Sequence, residues 1–221
     1  VKMENHVSKN TGEDYLDKFY IPSSDLFKKK FDGMIITGAP VERMDFDKVD
    51  YWDELCVIMD YARKNVFSTL YICWGAFAGL NHHYNIPKYP LEKKLSGIFM
   101  NEQLTENDPL LRGFDDTFPI PQSRHSTIKK EDILANDDLI ILANSPEAGV
   151  TIVKSKSNRE IFMTGHLEYD TSTLSEEYWR DTNKGLKVPL PKNYYPNNNV
   201  NLPPSSYWRS TAHLFFSNWL N

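Results

Sequence analysis

The sequence is short of cysteine, carries no basic excess and contains no long apolar run, and each shortage removes a class of protein. Two cysteines in 221 residues allow one disulfide at most, which excludes the densely bridged scaffolds of small secreted domains. Lys and Arg total 25 against 30 Asp and Glu, a net charge of −5. Phosphate neutralisation dominates nucleic-acid affinity, so no nucleic-acid partner is expected. The longest mostly apolar stretch, Thr69–Leu80, falls short of the ~20 residues that span a bilayer. No charged-then-apolar leader opens the chain, so the expectation is a cytoplasmic protein with no membrane partner. The phosphate-loop, dinucleotide-binding and H-E-x-x-H signatures are missing as well, which argues against a bound nucleotide, a metal or a permanently held cofactor.

What remains is a globular composition, 40% hydrophobic and 25% charged, in a length that suits one large domain. Gly33–Thr37 is a short apolar run ending in the Gly38-Ala39-Pro40 turn and reads as a buried strand. Val49, Trp52, Leu55, Cys56 and Met59 recur at helical spacing, which predicts a helix from about Asp47 to Lys64. A second apolar strand, Thr69–Ile72, runs into the small-residue segment Cys73–Leu80, which suits a helix packed closely on a sheet. This strand–helix alternation predicts an α/β domain over residues 1–221 with a mostly parallel sheet flanked by helices. Gly97–Leu104, Thr117–Arg124, Leu139–Asn144, Val150–Lys154 and Glu160–Thr164 follow too closely for crossover helices and predict antiparallel additions. Helical patterns return at about Leu174–Lys184 and Tyr207–Leu220. Between them lies a Pro- and Asn-rich arm, Val188–Ser206.

The chemistry-bearing residues are few. Cys73 falls where the second strand meets the following helix. A sharp turn there would lift its thiol above the sheet edge, with a helix N-terminus to favour the thiolate and the Trp74 N–H aimed at a developing oxyanion. The plain alternative is a buried structural cysteine, which is how Cys56, on a helix's apolar face, is read. In Thr164-Gly165-His166-Leu167-Glu168 the His and Glu are two apart, so in extended chain they share a side and Glu168 can fix the imidazole of His166. A surface His and Glu at a strand end is the ordinary reading of that pair; with Cys73 it makes a candidate Cys-His-Glu triad. His82 and His83, as helix neighbours, are expected to face apart and to hold no metal. His6, His125 and His213 have no partner motif.

Taken in order, Asp32–Pro40, Ile72-Cys73-Trp74-Gly75-Ala76, Thr164–Tyr169 and Asn218–Asn221 resemble the MetA-type homoserine O-acyltransferases over essentially the whole chain. That resemblance implies a class I glutamine amidotransferase-like (flavodoxin-like) fold. It implies that Cys73 carries the acyl group from acyl-CoA, with His166 and Glu168 activating the thiol and then the homoserine hydroxyl. It assigns Lys94, Ser123 and Arg180 to L-homoserine, and the oxyanion to backbone N–H groups of Trp74 and of the Gly38–Glu42 turn, Val41 among them. The partners it implies are L-homoserine and acetyl-CoA as co-substrate, in a homodimer serving methionine biosynthesis. Family members normally begin with a further strand and helix, and the opening Val1-Lys2-Met3 leads to the expectation of an N-terminally shortened chain.

Glu42 bears on the acyl donor, because succinyl-CoA users resemble one another in a glycine there and acetyl-CoA users in a glutamate. The physics agrees. A succinyl carboxylate ~4–5 Å from that side chain, at an effective dielectric near 20, meets a repulsion of about 3–4 kcal/mol, worth a preference on the order of 100-fold. The plain alternative has Glu42 in solvent, paired with Arg43 or another base. The rival functions are succinyl transfer, a glutamine amidase or cysteine hydrolase of the same fold, and a binding domain with an inert Cys73.

Overall fold

The computed structural model describes residues 1–6 and 11–221. Two short helices, α1 (Glu13–Phe19) and α2 (Ser23–Leu26), precede strand β1 (Phe31–Ile36). Helix α3 (Trp52–Asn65) leads into β2 (Val66–Ile72), and β2 into α4 (Trp74–Tyr84). The long hairpin of β3 (Tyr89–Gln103) and β4 (Thr117–Thr127) follows, then α5 (Lys130–Leu134), β5 (Leu139–Ser145), β6 (Gly149–Ser155) and β7 (Glu160–Met163). Helices α6 (Thr173–Asn183) and α7 (Arg209–Leu220) close the chain. No helix among the described residues is long and apolar enough to cross a membrane.

One seven-stranded sheet runs in the order β1-β2-β7-β6-β5-β3-β4. Its ladders are parallel where β1 meets β2 and β2 meets β7, and antiparallel in the other four. The sheet is therefore mixed, with a larger antiparallel share than the strand–helix alternation suggests. The physical reason is β7. It is reached through hairpin-length connections, yet it inserts beside β2 and runs parallel to it, so the closely spaced strands form more than half of the sheet instead of an appendage.

Side chains sort to the two faces by alternation. On β2 and β7, Leu70, Ile72, Ile161 and Met163 pack with Trp208 and Phe215, while Tyr71 and Phe162 pack on the other face with Met59 and Phe77. Helix α3 buries Leu55, Ile58, Met59 and Ala62 at helical spacing, with Asp53 and Glu54 in its first turn and Arg63 and Lys64 in its last, as the macrodipole favours. It starts at Trp52, later than the pattern implied, because Phe46–Lys48 forms a separate 3-10 turn. Phe77 and seven other residues of α4 are buried, which explains why that helix reads as apolar with no polar face.

The Pro/Asn arm is fastened at defined points. Lys192 donates to the Ser96 carbonyl (2.9 Å) and accepts from the Ile98 N–H (2.8 Å), so the arm bridges to β3. Tyr194 and Tyr195 are buried and reach α6 at Ser175. Gly97 makes that bridge possible: its φ is +138°, and a Cβ there would lie 2.3 Å from the Lys192 carbonyl oxygen. Gly75, in the first turn of α4, is a second such place, where a Cβ would lie 2.3 Å from the Ile36 carbonyl oxygen of β1. Because the obstacle is sheet backbone, Gly75→Ala should destabilise the fold by about 2–3 kcal/mol. The readout is a lower urea midpoint at unchanged m-value; an unchanged midpoint would refute the packing argument.

Candidate active site

The nucleophile position is a backbone event before it is a chemical one. Cys73 caps α4 with φ 53° and ψ −118°, a conformation that a non-glycine residue adopts only when its surroundings over-determine it. They do so here. The Cys73 N–H donates to the Met163 carbonyl (2.7 Å), continuing the β2–β7 ladder, and the Cys73 carbonyl accepts from the N–H groups of Ala76 and Phe77. Trp74, buried in an aromatic group with Phe46, Tyr51 and Trp52, anchors the next residue. As the first residue of the helix it has no intrahelical acceptor for its N–H.

Parallel pairing of β2 with β7 sets Ile72 opposite Met163, so the chain leaving β7 delivers Thr164-Gly165-His166 beside Cys73. His166 is buried and its Nδ1 lies 2.6 Å from Glu168 Oε1. Its Nε2 is buried and makes no conventional hydrogen bond among the described residues; the sulfur of Cys73 is the group that acts on it most. Burial pulls the imidazole's pKa down, but the Cys73 charge and bonding to Cys73 and Glu168 outweigh this and raise it above the ordinary value. The protonated imidazole is thus favoured between the Glu168 carboxylate and the sulfur of Cys73.

Glu42 does not point into solvent. Its Oε1 is 3.7 Å from Cys73 Sγ, and its Oε2 accepts the backbone N–H of His125. Its carbonyl is held by Lys88 Nζ and by Ser126 Oγ (3.2 Å). Arg43 is occupied elsewhere, 3.1 Å from His125 Nδ1. One expectation changes: the Val41 N–H donates to the Ala39 carbonyl (2.8 Å). The tight turn after Pro40 thus consumes that donor internally, and Val41 offers nothing to an oxyanion in this conformation, whereas Trp74 can.

Lys94, Ser123 and Arg180 come together around two carboxylates that the sequence did not single out. Lys94 Nζ lies 3.2 Å from Glu177 and 3.1 Å from Asp181; Ser123 Oγ donates to Glu177, and Arg180 Nε to Asp181 (2.8 Å). Burial pushes the Glu177 carboxyl up, but the Ser123 hydroxyl, the Lys94 charge and the Tyr169 hydroxyl hold it below the usual range. Tyr169 links this cluster to the triad, since its ring stacks on His166 (centroids 4.1 Å apart) and its hydroxyl donates to Glu177 (2.8 Å). The missed signal was Glu177, Arg180 and Asp181 at i, i+3 and i+4, one face of a helix.

Arg124 was missed too. It is 1% exposed and donates to Gln122 Oε1 and to the carbonyls of Ser126 and Ala148. Among the described residues no carboxylate forms an ion pair with it. Burial lowers its pKa to about 10, and the nearby charges of Cys73 and Glu42 oppose that loss. It is a buried cation behind an anionic pocket.

The family is visible in comparisons as well as in geometry. The homoserine O-succinyltransferase family model matches residues 1–221. Homoserine O-acetyltransferase of Methanomethylophilus alvi is 57% identical over 221 residues, all of this chain and 72% of the relative's length. The chain belongs to the homoserine acyltransferase family. As a member it is an acyltransferase. Homoserine O-acetyltransferase of Acetivibrio thermocellus is 54% identical over 98% of this chain and 71% of its own. The fold is the class I glutamine amidotransferase-like one. A glutamine amidotransferase from Methylobacillus flagellatus superimposes with a TM-score of 0.65 at 12% identity, covering 94% of this chain and 87% of that one. A glutamine amidotransferase from Thermotoga maritima gives 0.59 at 14%, covering 84% and 75%.

The two free cysteines provide a test. Burial, with Asp53 and Asp60 nearby, pushes the Cys56 thiol up to about 11, so at neutral pH it is almost wholly protonated. A neutral alkylating agent at pH 7 should modify Cys73 at least ~100-fold faster than Cys56, read by peptide mass. Equal labelling rates at the two cysteines would refute an activated Cys73.

Proposed function

We propose that this chain transfers an acetyl group from acetyl-CoA to the hydroxyl of L-homoserine through an acetyl-Cys73 intermediate, as the first committed step of methionine biosynthesis in the cytoplasm, working as a homodimer. The observation that carries the choice of acetyl is the Glu42 carboxylate 3.7 Å from the Cys73 sulfur. The relatives at 51–57% identity named homoserine O-acetyltransferase support it, although the family model carries the succinyl name.

In the first half-reaction the Cys73 thiolate attacks the thioester carbonyl and the Trp74 N–H stabilises the oxyanion. The C–S bond to CoA breaks, and His166 gives its proton to the departing CoA thiolate. Acylation removes the Cys73 charge that had raised the His166 pKa, so the ring is left as a neutral base at the moment a base is needed. In the second half-reaction it takes the hydroxyl proton of homoserine, whose oxygen attacks acetyl-Cys73. The ester forms, the thiolate is restored and His166 is again protonated. Glu168 keeps the ring oriented throughout.

Homoserine is a zwitterion, and the Lys94–Ser123–Glu177–Arg180–Asp181 cluster presents both signs. Arg180, half exposed, suits the carboxylate in a bidentate grip, with Lys94 adding a point charge. Glu177 and Asp181 suit the ammonium group. The substrate would then exchange partners with ion pairs already formed, so desolvation is limited.

Intact-protein mass after acetyl-CoA should show one acetyl adduct, confined to Cys73 and discharged by homoserine; no adduct on a folded chain would defeat the mechanism. A succinyl adduct of equal yield would keep the family and overturn the role of Glu42. Glu42→Gly should raise succinyl relative to acetyl transfer by about 100-fold in kcat/KM.

A further inference from the structure

Helices α3 and α4 assemble a second polar group, well separated from the sulfur of Cys73. His82 and His83 sit in the last turn of α4, about 15 Å along the helix from its Cys73 cap. As sequence neighbours they were expected to face apart. Their ring centroids are instead 4.7 Å apart, because α3 passes beside that turn and both rings lean toward Asp60. His82 Nε2 is 2.8 Å from Asp60 Oδ1, and His83 Nδ1 is 3.9 Å from the same oxygen. One donor atom from each of the three residues lies within 4.8 Å of the other two.

A second observation concerns how His83 is held. Its side chain is 3% exposed, and its Nε2 lies 3.5 Å from Glu160 Oε1 and 3.4 Å from the Tyr71 hydroxyl. Glu160 is buried, with Oε2 taken by Tyr84 (2.5 Å) and approached by Arg63 (3.4 Å), while Oε1 makes no hydrogen bond among the described residues. Placing the His83 proton on Nε2, toward that orphaned oxygen, gives the buried carboxylate its missing donor. Nδ1 then presents a lone pair to Asp60 Oδ1, an acceptor facing an acceptor. The arrangement of carboxylate, imidazole and outward lone pair is the one by which proteins orient a ligating histidine.

We propose that Asp60, His82 and His83 bind a divalent first-row transition-metal ion, with Glu160 orienting His83 and a remaining position open to water. Two imidazole nitrogens and one carboxylate oxygen suit Zn²⁺, Co²⁺ or Ni²⁺ and disfavour Mg²⁺ and Ca²⁺, which take all-oxygen sets. The size fits. Metal–ligand bonds of ~2.0–2.1 Å in a tetrahedral array set neighbouring donors about 3.4 Å apart, and the separations of 2.8 and 3.9 Å bracket that value. Asp60, 57% exposed, has the freedom to adjust. A bound ion would tie the last turn of α4 to α3 without touching the reacting atoms.

Titration of the untagged chain with Co²⁺ tests this, read by visible absorption and by the Tm rise with equimolar Zn²⁺. The expected result is saturation at one ion per chain, with a d–d band free of thiolate-to-cobalt charge transfer. Affinity should weaken at least ~10-fold in Asp60→Asn and in His82→Ala, two partly exposed positions whose folding is checked by circular dichroism. Both variants should retain acetyl transfer. No saturable binding, or affinity in the two variants unchanged from that of the unsubstituted chain, would overturn the proposal. So would a charge-transfer band, which would put the ion on Cys73 or Cys56.

Discussion

The position of Cys73 depends on a backbone conformation that an L-residue avoids. With φ at 53° and ψ at −118°, the residue stores strain of order 1–3 kcal/mol, and the neighbouring structure is arranged to hold it there. β7 pins the Cys73 N–H, α4 pins its carbonyl, and Gly75 lets the helix start against the backbone of β1. The aromatic packing around Trp74 closes the remaining direction of escape. What the strain accomplishes is placement: the thiol stands at the C-terminal end of the parallel strands, where ligands bind in open α/β sheets.

Charge balance is the second organising fact. Cys73, Glu42 and Glu168 place negative charge around one small volume, against His166 and the buried Arg124. Arg124 also bonds the carbonyl of Ser126, whose hydroxyl holds the carbonyl of Glu42, so one side chain supplies both countercharge and rigidity. The cluster around α6 repeats the pattern with Lys94 and Arg180 against Glu177 and Asp181. Tyr169 spans the two clusters, stacking its ring on His166 and donating its hydroxyl to Glu177.

Local patterns made much of this readable. The strand–helix junction at Cys73 and the His166–Glu168 spacing are short-range features, and both landed where the sequence put them, with β2, α4 and β7 within a few residues of their expected spans. The misjudged parts depend on distant contacts. β7 reads as one more hairpin strand until it is seen beside β2. The Val41 N–H reads as free until the turn to Ala39 is known. Glu177 and Asp181 read as solvated helix charges, since Lys94 lies 83 and 87 positions away from them. His82 and His83 converge because a neighbouring helix offers both an acceptor, which no periodicity encodes. The arm from Val188 to Ser206 reads only as a Pro- and Asn-rich connection until its bonds to β3 and α6 are seen, and through them it steadies the helix that carries Arg180.

The Glu42 carboxylate is held by a backbone N–H, that of His125, and its main chain is clamped from two sides. Among the described residues no long, flexible side chain bonds that carboxylate and could carry it away, and it faces the sulfur at 3.7 Å, a separation that leaves no room for an ion atmosphere between them. Debye screening acts over ~8–10 Å of solution at ordinary ionic strength and reaches such a gap poorly. On the proposed reading of Glu42, the repulsion of a charged acyl group rests on a charge that bulk salt screens poorly, so the preference for a neutral acyl group should hold as ionic strength rises.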